Sequence, residues 1–482
     1  MPDNSIIKSI LDPTIILDEL VYDDMDEGTG EIGEKYLKTF GTLGMLYPLV
    51  QINNYVFKSS EIKKMTIDST GFLPTIQLKL HMRFSGAFVS NGIPKDGDVV
   101  SIFINQRQDV YKPIRNDYLI TSISSSGTNS EGVGGILYIE GELRIPRLYD
   151  IAGIAINDTS FESLKLIATD LGLGFSTNED STDDLMTWFS GVDTYENFIK
   201  HLTTHAWKDE NSFFKIFIDI YYNLNFVNVN HQFKDDNEFL AGSIDNITIG
   251  PAYGDEGGKN EPQDSPVVFS NHRKLNTTSF YITEYNPINI GASIAKKYGY
   301  TFEPVFFEQN TLESWSIPME PLITEGSEEE KILLRGRPNE EFYKTQIKKQ
   351  WLGIQYTGDD HNTHENFMIS KVQNMINNQN TDKFNVRVLI NRINFNIFKY
   401  GRFPFIFFVQ QDVLRMMQEM KTDDYAELKT DMAVDSFYTG WWLLKGFKII
   451  FVDDSPDETN KFRQEFILSR RELPLPATTS ET

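Results

Sequence analysis

Hydrophobic and polar residues alternate along much of the first third of the chain. Strict alternation over several residues is typical of a strand with one buried face. The clearest run is TIQLKLHMRF at 75–84, whose alternate positions are Ile76, Leu78, Leu80, Met82 and Phe84. KDGDVVSIFINQ at 95–106 opens with a turn and continues into a β-branched run, and 117–146 reads as two strands joined by a Gly/Ser loop. Short strands separated by turn signals predict a small barrel or sandwich over about 45–150.

The period of the pattern changes to that of a helix between 151 and 210. Thr159 and Glu162 have the spacing of a capping box, and Gly172 marks the end of the first helix. Asp193 and Glu196 repeat the capping-box spacing before a second helix. The apolar positions expected to pack inward are Phe161, Leu164, Ile167, Leu171, Tyr195, Phe198, Ile199 and Leu202. We therefore predict a two-helix unit after the first strands.

The stretch SFFKIFIDIYYNLNFVNVNHQF at 212–233 is rich in phenylalanine and asparagine and contains neither glycine nor proline. Three interpretations fit it: a pair of core strands, a ligand platform on which asparagines bind a sugar, or an interaction surface. The composition favours core strands with a polar alternate face.

Strand patterns return in the last two fifths of the chain. KFNVRVLINRINFNIFKYGRFPFIFFV at 383–409 is a long strand-like run broken near Gly401, while 441–454 and 461–473 resemble a closing pair of strands. A short helix is expected at 289–300 and a further one at 412–432. The predicted division is an N-terminal arm at 1–44, a first barrel-like β domain at 45–150, a two-helix insertion at 151–210, strands and an acidic linker at 211–270, a second barrel-like β domain with insertions at 271–475, and a disordered tail at 476–482. The predicted fold class is mainly β with α, with two barrel-like domains in tandem.

Composition and charge narrow the range of functions. The 482 residues include 69 Asp and Glu against 45 Lys and Arg, a net charge of −24, so a nucleic-acid binder with a basic face is disfavoured. The same charge disfavours a protein that binds anionic membrane surfaces. The chain has no cysteine, which excludes disulfides, thiolate metal sites and a thiol nucleophile. No apolar run is long enough to predict a membrane-spanning helix, and cytoplasmic folding is expected.

Two histidine groups have spacings compatible with metal binding. His201 and His205 are four residues apart on the second predicted helix, but Leu202 occupies the position of the general base in zinc proteases. The second group is DDHNTHEN, with Asp359, Asp360, His361, His364 and Glu365. An ordinary pair on a helix surface and a solvated loop are the favoured interpretations of these two groups.

Other catalytic patterns fail on spacing. YGDEGGKN at 253–260 is glycine-rich like a phosphate-binding loop, but Tyr253 and Asn260 do not fit that motif. A pair of acidic residues of the glycosidase type remains open, because any chain this acidic offers many pairs. We assign no catalytic, cofactor-binding or metal-binding residue.

The order of the elements resembles a known family. The relevant segments are GDVVSIFI at 97–104, YLITSIS at 118–124, the helical unit, FFKIFIDIYYNLNFVNVN at 213–230, QWLGIQYTG at 350–358 and NVRVLINRINFNIFKYGRFPFIFF at 385–408. In this order they resemble the baseplate central hub proteins of contractile-tailed bacteriophages, a superfamily that includes late control protein D and the N-terminal part of type VI secretion spikes. The resemblance covers about 45–475, and the acidic inserts at 234–265 and 323–340 depart from it.

The resemblance implies a structural virion protein of the tail, assembled in the host cytoplasm and without catalytic residues, cofactors or membrane insertion. Such hubs are homotrimers in which three pairs of barrel-like domains form a pseudo-sixfold ring. The ring joins the sixfold tail tube to the threefold central spike, contacts the baseplate wedge proteins, and lets DNA pass without specific binding.

Alternative functions are another baseplate component, such as a wedge or an adhesin, or a carbohydrate-active enzyme that acts on the cell wall. A further hypothesis places the negative charge on the wall of the central channel. The opposing interpretation places it on outer loops such as 23–34 and 325–331, where it would serve solubility.

Overall fold

The computed structural model describes residues 48–53, 55–57, 59–83, 93–104, 114–127, 134–230, 268–270, 280–308, 312–321, 342, 345–355, 363–390, 405–407, 440–453 and 461–470. Several predictions fall on residues outside these ranges. They concern the N-terminal arm at 1–44, the glycine-rich loop at 253–260, the insert at 323–340, the helix at 412–432 and the tail.

Strands dominate the described part of the chain. Those of the first half are β1 Leu49–Ile52, β2 Tyr55–Phe57, β3 Ile62–Ser69, β4 Thr75–Arg83, β5 Val99–Ile104, β6 Ile114–Gly127, β7 Gly134–Leu143, β8 Ala155–Asp158, β9 Gly174–Thr177, β10 Met186–Phe189, β11 Phe214–Ile218 and β12 Asn223–Asn228. Those of the second half are β13 Val268–Ser270, β14 Phe280–Asn289, β15 Thr301–Glu308, β16 Glu313–Ser316, β17 Ile347–Gln355, β18 Phe384–Ile390, β19 Phe405–Phe407, β20 Gly440–Trp441, β21 Leu443–Val452 and β22 Phe462–Arg470. The helices are α1 Ser160–Asp170, α2 Tyr195–His205, α3 Gly291–Tyr298 and α4 Phe367–Thr381.

One 14-stranded sheet joins the two strand-rich regions, in the order β2-β1-β5-β6-β7-β4-β3-β21-β22-β18-β14-β13-β19-β20. The antiparallel pair β3–β21 connects the seven strands from the first region to the seven from the second. The predicted alternation is confirmed on β4, where Ile76, Leu78, Leu80 and Met82 are all buried. The predicted closing strands are also confirmed, since β21 and β22 pair antiparallel.

The helical unit carries its own small sheets. β8 pairs with β10, while β11 and β12 form an antiparallel pair to which β9 adds in parallel. The strand pair predicted at 212–233 is therefore confirmed, and it belongs to the sheet beside the helices. Phe214 and Phe226 of this pair stack with ring centroids 4.6 Å apart and are fully buried.

The helices bury the predicted side chains. All eight predicted apolar positions on α1 and α2 are buried, and they belong to the same hydrophobic core as the 14-stranded sheet. Thr159 caps α1 by accepting a hydrogen bond from the backbone N of Glu162, as predicted. The predicted cap of α2 is wrong by one residue: Thr194, not Asp193, accepts from the backbone N of Asn197 at 3.3 Å. Thr and Asp are both good caps, so the spacing could not distinguish these two neighbours.

The second region adds a further layer, in which β15 pairs in parallel with β17 and antiparallel with β16. The short helix expected at 289–300 is confirmed as α3. Phe302 and Phe306 of β15 pack in a small separate core with Val372 and Ile376 of α4. The predicted fold class, mainly β with a small helical insertion, is thus confirmed, while the domain boundaries remain a prediction. No helix of the described residues has the length and apolar character required to cross a membrane.

Candidate functional site

The first candidate site is the sheet joint, the pairing of Lys64–Ser69 on β3 with Phe447–Val452 on β21. Ile67 lies opposite Ile449, and both side chains are fully buried. Directly opposed β-branched residues are a main source of stability in a sheet. The sheet joint therefore combines a backbone ladder with apolar packing between residues nearly 400 positions apart.

Charged residues fix the ends of the sheet joint. The carboxylate of Asp453 accepts hydrogen bonds from Lys63 at 2.9 Å and from Lys461 at 2.6 Å. Burial raises the pKa of Asp453, but the bonds from Lys461 and Lys63 outweigh burial and hold the pKa below its ordinary value. Lys448 forms an ion pair with Asp68 at 2.8 Å. The two regions are thus held in one register by both apolar and charged contacts.

Gly446 of β21 allows this strand to lie close to the backbone at the end of β3. A Cβ at this position would lie 2.9 Å from the carbonyl O of Ser69 and 2.9 Å from the Cα of Thr70. Both neighbours are backbone atoms, which cannot rotate away. The same position interrupts the register between β21 and β22, where Leu444 and Gly446 pair with consecutive residues of β22.

The second candidate site is the helix joint, where α4 packs against α2 and the segment 206–214 that follows it. Amide side chains of α4 bind backbone groups that the end of α2 leaves free. Asn374 donates to the carbonyls of Thr203, Thr204 and Ala206 at 3.3, 3.1 and 3.0 Å and accepts from the backbone N of Phe214 at 2.7 Å.

Two further amides extend the helix joint. Gln373 donates to the carbonyls of Asp209, Glu210 and Ser212. Asn378 donates to the carbonyl of Phe214 at 2.9 Å, on β11. Because the last carbonyls of a helix lack intrahelical partners, Asn374 completes the end of α2 from a distant part of the chain, while Gln373 and Asn378 bind the segment that follows α2. The sequence analysis missed α4 altogether, although Val372 and Ile376 have helical spacing.

The helix joint also contains a cluster of aromatic side chains that we call the histidine cluster, formed by Trp188, His201, His205, His364 and Phe367. The ring of His205 stacks on Phe367 with centroids 3.7 Å apart, and His201 lies 4.9 Å from His205. Trp188 contacts both His201 and His364, at centroid distances of 6.3 and 5.9 Å. The structure therefore brings together three histidines from the two groups that the sequence singled out separately.

The metal-binding interpretations gain no support from this arrangement. Among the residues that the structure describes, no three His, Cys, Asp or Glu side chains are placed to hold a metal ion. Asp359, Asp360 and His361 lie outside the described residues, and Glu365 is exposed. The ring nitrogens of His205 and His364 instead contact backbone carbonyls.

The asparagines of 212–233 face inward and bind the protein itself. Asn228 donates to Glu179 at 2.6 Å, and Asn230 donates to the carbonyl of Asn211 at 2.6 Å. Asn225 donates to the carboxylate of Asp219 at 3.2 Å. These bonds use the donors that a sugar platform would need, so the stretch acts as core structure.

A buried carboxylate that the sequence analysis missed organises the helical unit. Asp184 accepts hydrogen bonds from the backbone N and the hydroxyl of Ser160, at 2.8 and 2.5 Å, and from the backbone N of Trp207 at 2.9 Å. It therefore connects the start of α1 with the segment after α2. An Asp within a polar run such as STDDLMTW carries no sequence signal that distinguishes it from its exposed neighbours.

The exposed apolar side chains of the helical unit include Ile151, Phe189 and Val192, with 65%, 69% and 85% of their surface accessible. We call them the apolar patch. The two segments that carry them are held together, since Ala152 donates to the carbonyl of Asp193 at 2.9 Å and Ser190 donates to that of Ile154 at 3.0 Å. Contiguous exposed apolar area is a feature of interaction surfaces, whereas single exposed apolar residues are ordinary.

Comparison with known proteins gives structural similarity only. No protein-family description matches the chain, and no curated protein sequence matches it. The similar solved structures include a tail protein from Neisseria meningitidis MC58, with 8% identity, a TM-score of 0.48 and coverage of 88% of this chain and 96% of that one. A 43 kDa tail protein of prophage MuSo2 from Shewanella oneidensis has 10% identity, a TM-score of 0.46 and coverage of 88% and 98%.

A Francisella PdpA–VgrG complex is also similar, with 11% identity, a TM-score of 0.42 and coverage of 98% of this chain and 69% of that one. The similar solved structures are thus two tail proteins and PdpA–VgrG complexes. At these identities and TM-scores they establish no function for this chain.

Proposed function

We propose that this chain is a structural tail protein: a baseplate hub whose three copies form a ring between a sixfold tail tube and a threefold central spike. The observation that carries the proposal is the composition of the 14-stranded sheet, with seven strands from each of two sequence regions. Three copies of such a subunit supply six strand-rich units, which is the number that a sixfold partner requires. A ring of three such subunits can therefore contact a partner with sixfold symmetry on one side and a partner with threefold symmetry on the other.

The arrangement around the sheet joint supports this proposal. On each side of the joint, the first two strands form an antiparallel pair of consecutive strands, β3–β4 on one side and β21–β22 on the other. The joint itself is antiparallel. Next to the joint, the two regions therefore have the same arrangement of strands, as expected for a subunit built from two similar halves.

We further propose that the apolar patch forms part of the contact between copies. Permanent subunit interfaces bury large apolar areas, commonly above about 2,000 Å², and Ile151, Phe189 and Val192 are exposed in the single chain. In the assembled tail the ring would contact spike, tube and wedge proteins and would let DNA pass. No catalytic, cofactor or metal role is part of the proposal.

The size and symmetry of the purified full-length chain test the proposal. Light scattering should give three times the mass of the chain, and electron-microscope images should show a closed threefold ring. A chain that stays monomeric or dimeric over a wide concentration range would contradict the trimer and favour a wedge-type component. Cell-wall hydrolysis by the purified protein would favour the enzymatic alternative.

Variants of the apolar patch test the interface separately. Val192→Asp should reduce the trimer fraction while leaving the circular dichroism spectrum of the chain unchanged, because the side chain is exposed within one chain. Leu166→Asp is the matched control, since Leu166 is 55% exposed on α1. If neither substitution changes the trimer fraction, the interface lies elsewhere on the chain, and the proposal of a trimer is not contradicted.

The net charge of −24 suggests a property of the channel. We propose that the wall of the ring's central channel is net acidic, because a basic wall would bind DNA phosphates and hold the genome. Screening limits such repulsion to about 8–10 Å at physiological salt, which is the scale of the gap between wall and duplex. An experimental structure of the trimer decides the matter: a lumen lined mainly by Lys and Arg, or the absence of an axial lumen, would refute it.

A further inference from the structure

The histidine cluster joins two parts of the chain through neutral rings. His205 lies at the end of α2, and His364 and Phe367 lie at the start of α4, about 160 residues later. The Nδ1 of His205 is 2.7 Å from the carbonyl O of Phe367, and the Nε2 of His364 is 3.0 Å from the carbonyl O of His205. The contacts are reciprocal, so each histidine binds the backbone of the other segment.

These contacts fix the tautomers of the two rings. A carbonyl oxygen only accepts hydrogen bonds, so His205 carries its proton on Nδ1 and His364 carries its proton on Nε2. Among the residues that the structure describes, none is a hydrogen-bond partner of the remaining nitrogen of His364, Nδ1, which is buried. A second proton on His364 would therefore place a charged N–H donor at a buried atom for which the described part of the chain supplies no acceptor, and such a donor is costly.

The surroundings of the cluster also disfavour positive charge. His201 and His205 lie side by side, so two protonated rings would repel each other. The charged groups that act on the cluster are Lys371 of α4, which opposes protonation of His201 and His205, and Asp193, which favours protonation of His201. Asp183 and Asp184 favour protonation of His364.

Burial is the largest influence on the pKa at all three rings, and it outweighs the acidic neighbours of His201 and His364. It lowers the pKa of His205 to about 3, where the bond to Phe367 opposes the shift and His201, Lys371 and His364 add to it. Burial likewise lowers the pKa of His201 and that of His364. The rings are therefore neutral in the closed helix joint at neutral pH and would become charged once the joint opens in acid.

We propose that the helix joint is an acid-sensitive latch: protonation of the histidine cluster separates α4 from α2 while the sheet joint stays closed. The sign follows from linkage. A histidine whose pKa is lower in the closed state binds more protons in the open state, so closure is favoured at pH above about 6.5 and is weakened as the pH falls toward the closed-state pKa. At pH 5, His205 alone would favour opening by roughly 30-fold relative to neutral pH.

Hydrogen–deuterium exchange of the full-length chain measures the opening directly. Between pH 7.5 and pH 5.0, after correction for the intrinsic pH dependence of exchange, peptides covering 195–214 and 363–381 should exchange at least tenfold faster. Peptides covering β3, β4 and β21 should keep their protection. Equal protection of all these peptides at both pH values would overturn the proposal in the wild-type protein itself.

A double variant that keeps the hydrogen bonds but cannot titrate provides the second test. Asn places an amide nitrogen near the position of a histidine Nδ1, and Gln places one near that of Nε2, so His205→Asn with His364→Gln retains donors to both carbonyls. This variant should lose most of the acid response of 195–214 and 363–381. His81→Gln on β4 is the control and should keep the response.

Each outcome of the second test is decisive. An acid response in the double variant equal to that of the wild type would show that other groups cause it and would refute the latch. If the double variant does not fold, the proposal is still tested by the first experiment, which compares exchange of helix-joint and sheet-joint peptides in the wild-type protein at the two pH values. The latch concerns a single chain, so its result is independent of whether the protein forms a trimer.

Discussion

The sheet joint and the helix joint each connect an earlier part of the chain to a later one, by opposite means. At the sheet joint, buried apolar residues such as Ile67 and Ile449 oppose each other on a continuous backbone ladder. At the helix joint, amide side chains bind backbone carbonyls and the ring of His205 stacks on that of Phe367. Apolar burial depends little on pH, whereas neutral buried histidines make a contact that acid weakens. One subunit therefore has a permanent connection and a conditional one.

Truncating the core of the sheet joint should have the largest effect. Ile449→Ala removes a fully buried side chain from β21 and should lower the free energy of unfolding by about 2–5 kcal/mol. Ile450→Ala is the matched control, because its side chain is only half-buried. Chemical denaturation at pH 7.5 measures both. An equal loss for the two variants would mean that β21 does not bury one face as described.

The comparison of the two joints explains what the sequence could predict. Alternation on β4 and the helical stripes of α1 and α2 follow directly from periodicity, because apolar burial leaves a regular pattern. The pairing of β3 with β21 leaves no such pattern, since alternation shows which face is buried and not which strand lies alongside. The seven-and-seven division of the sheet therefore appears only in the structure.

The sequence does not predict the helix joint, for a different reason. α4 is rich in asparagine, which is a poor helix former and masks the apolar spacing of Val372 and Ile376. Its amides find partners on backbone carbonyls, and any residue can supply a carbonyl, so no partner sequence identifies the contact. The spacing within each histidine group raises a metal hypothesis beside the favoured ordinary interpretations, and it does not indicate the contact between the two groups.

Removing the central amide of the helix joint should have the next largest effect. Asn374→Asp keeps an acceptor for the backbone N of Phe214 but loses the donor to Thr203, Thr204 and Ala206. Leaving the carbonyls of Thr204 and Ala206 without this donor should cost about 1–3 kcal/mol, whereas the carbonyl of Thr203 still accepts from the backbone N of Ala206. The effect should appear as faster hydrogen exchange confined to 195–214 and 363–381. Gln379→Ala on the same helix is the control. Faster exchange throughout the 14-stranded sheet would show that the two joints are not separate units.

Adding one methyl group to β21 at Gly446 should lower the stability of the sheet joint moderately. Gly446→Ala places a Cβ 2.9 Å from backbone atoms of Ser69 and Thr70 and should cost about 1–3 kcal/mol. Gly71→Ala is the matched control, because its nearest neighbour would be 3.7 Å away. The thermal midpoint distinguishes them, and an unchanged midpoint for Gly446→Ala would mean that β3 and β21 adjust without loss.

The smallest expected effect concerns the ion pair at the edge of the sheet joint. Lys448→Met removes the contact with Asp68 at 2.8 Å but keeps much of the aliphatic side chain. Both partners keep 28% of their side-chain surface exposed, so water screens the pair and the loss should be only about 0.2–1 kcal/mol. Because 1 M salt shortens the screening length to about 3 Å, the difference between Lys448→Met and the wild type should shrink there. Denaturation curves at low and high salt measure this difference; a loss well above that range, unaffected by salt, would show that charge contributes to the sheet joint as strongly as burial does. The contrast between an apolar sheet joint and a polar helix joint would then have to be abandoned.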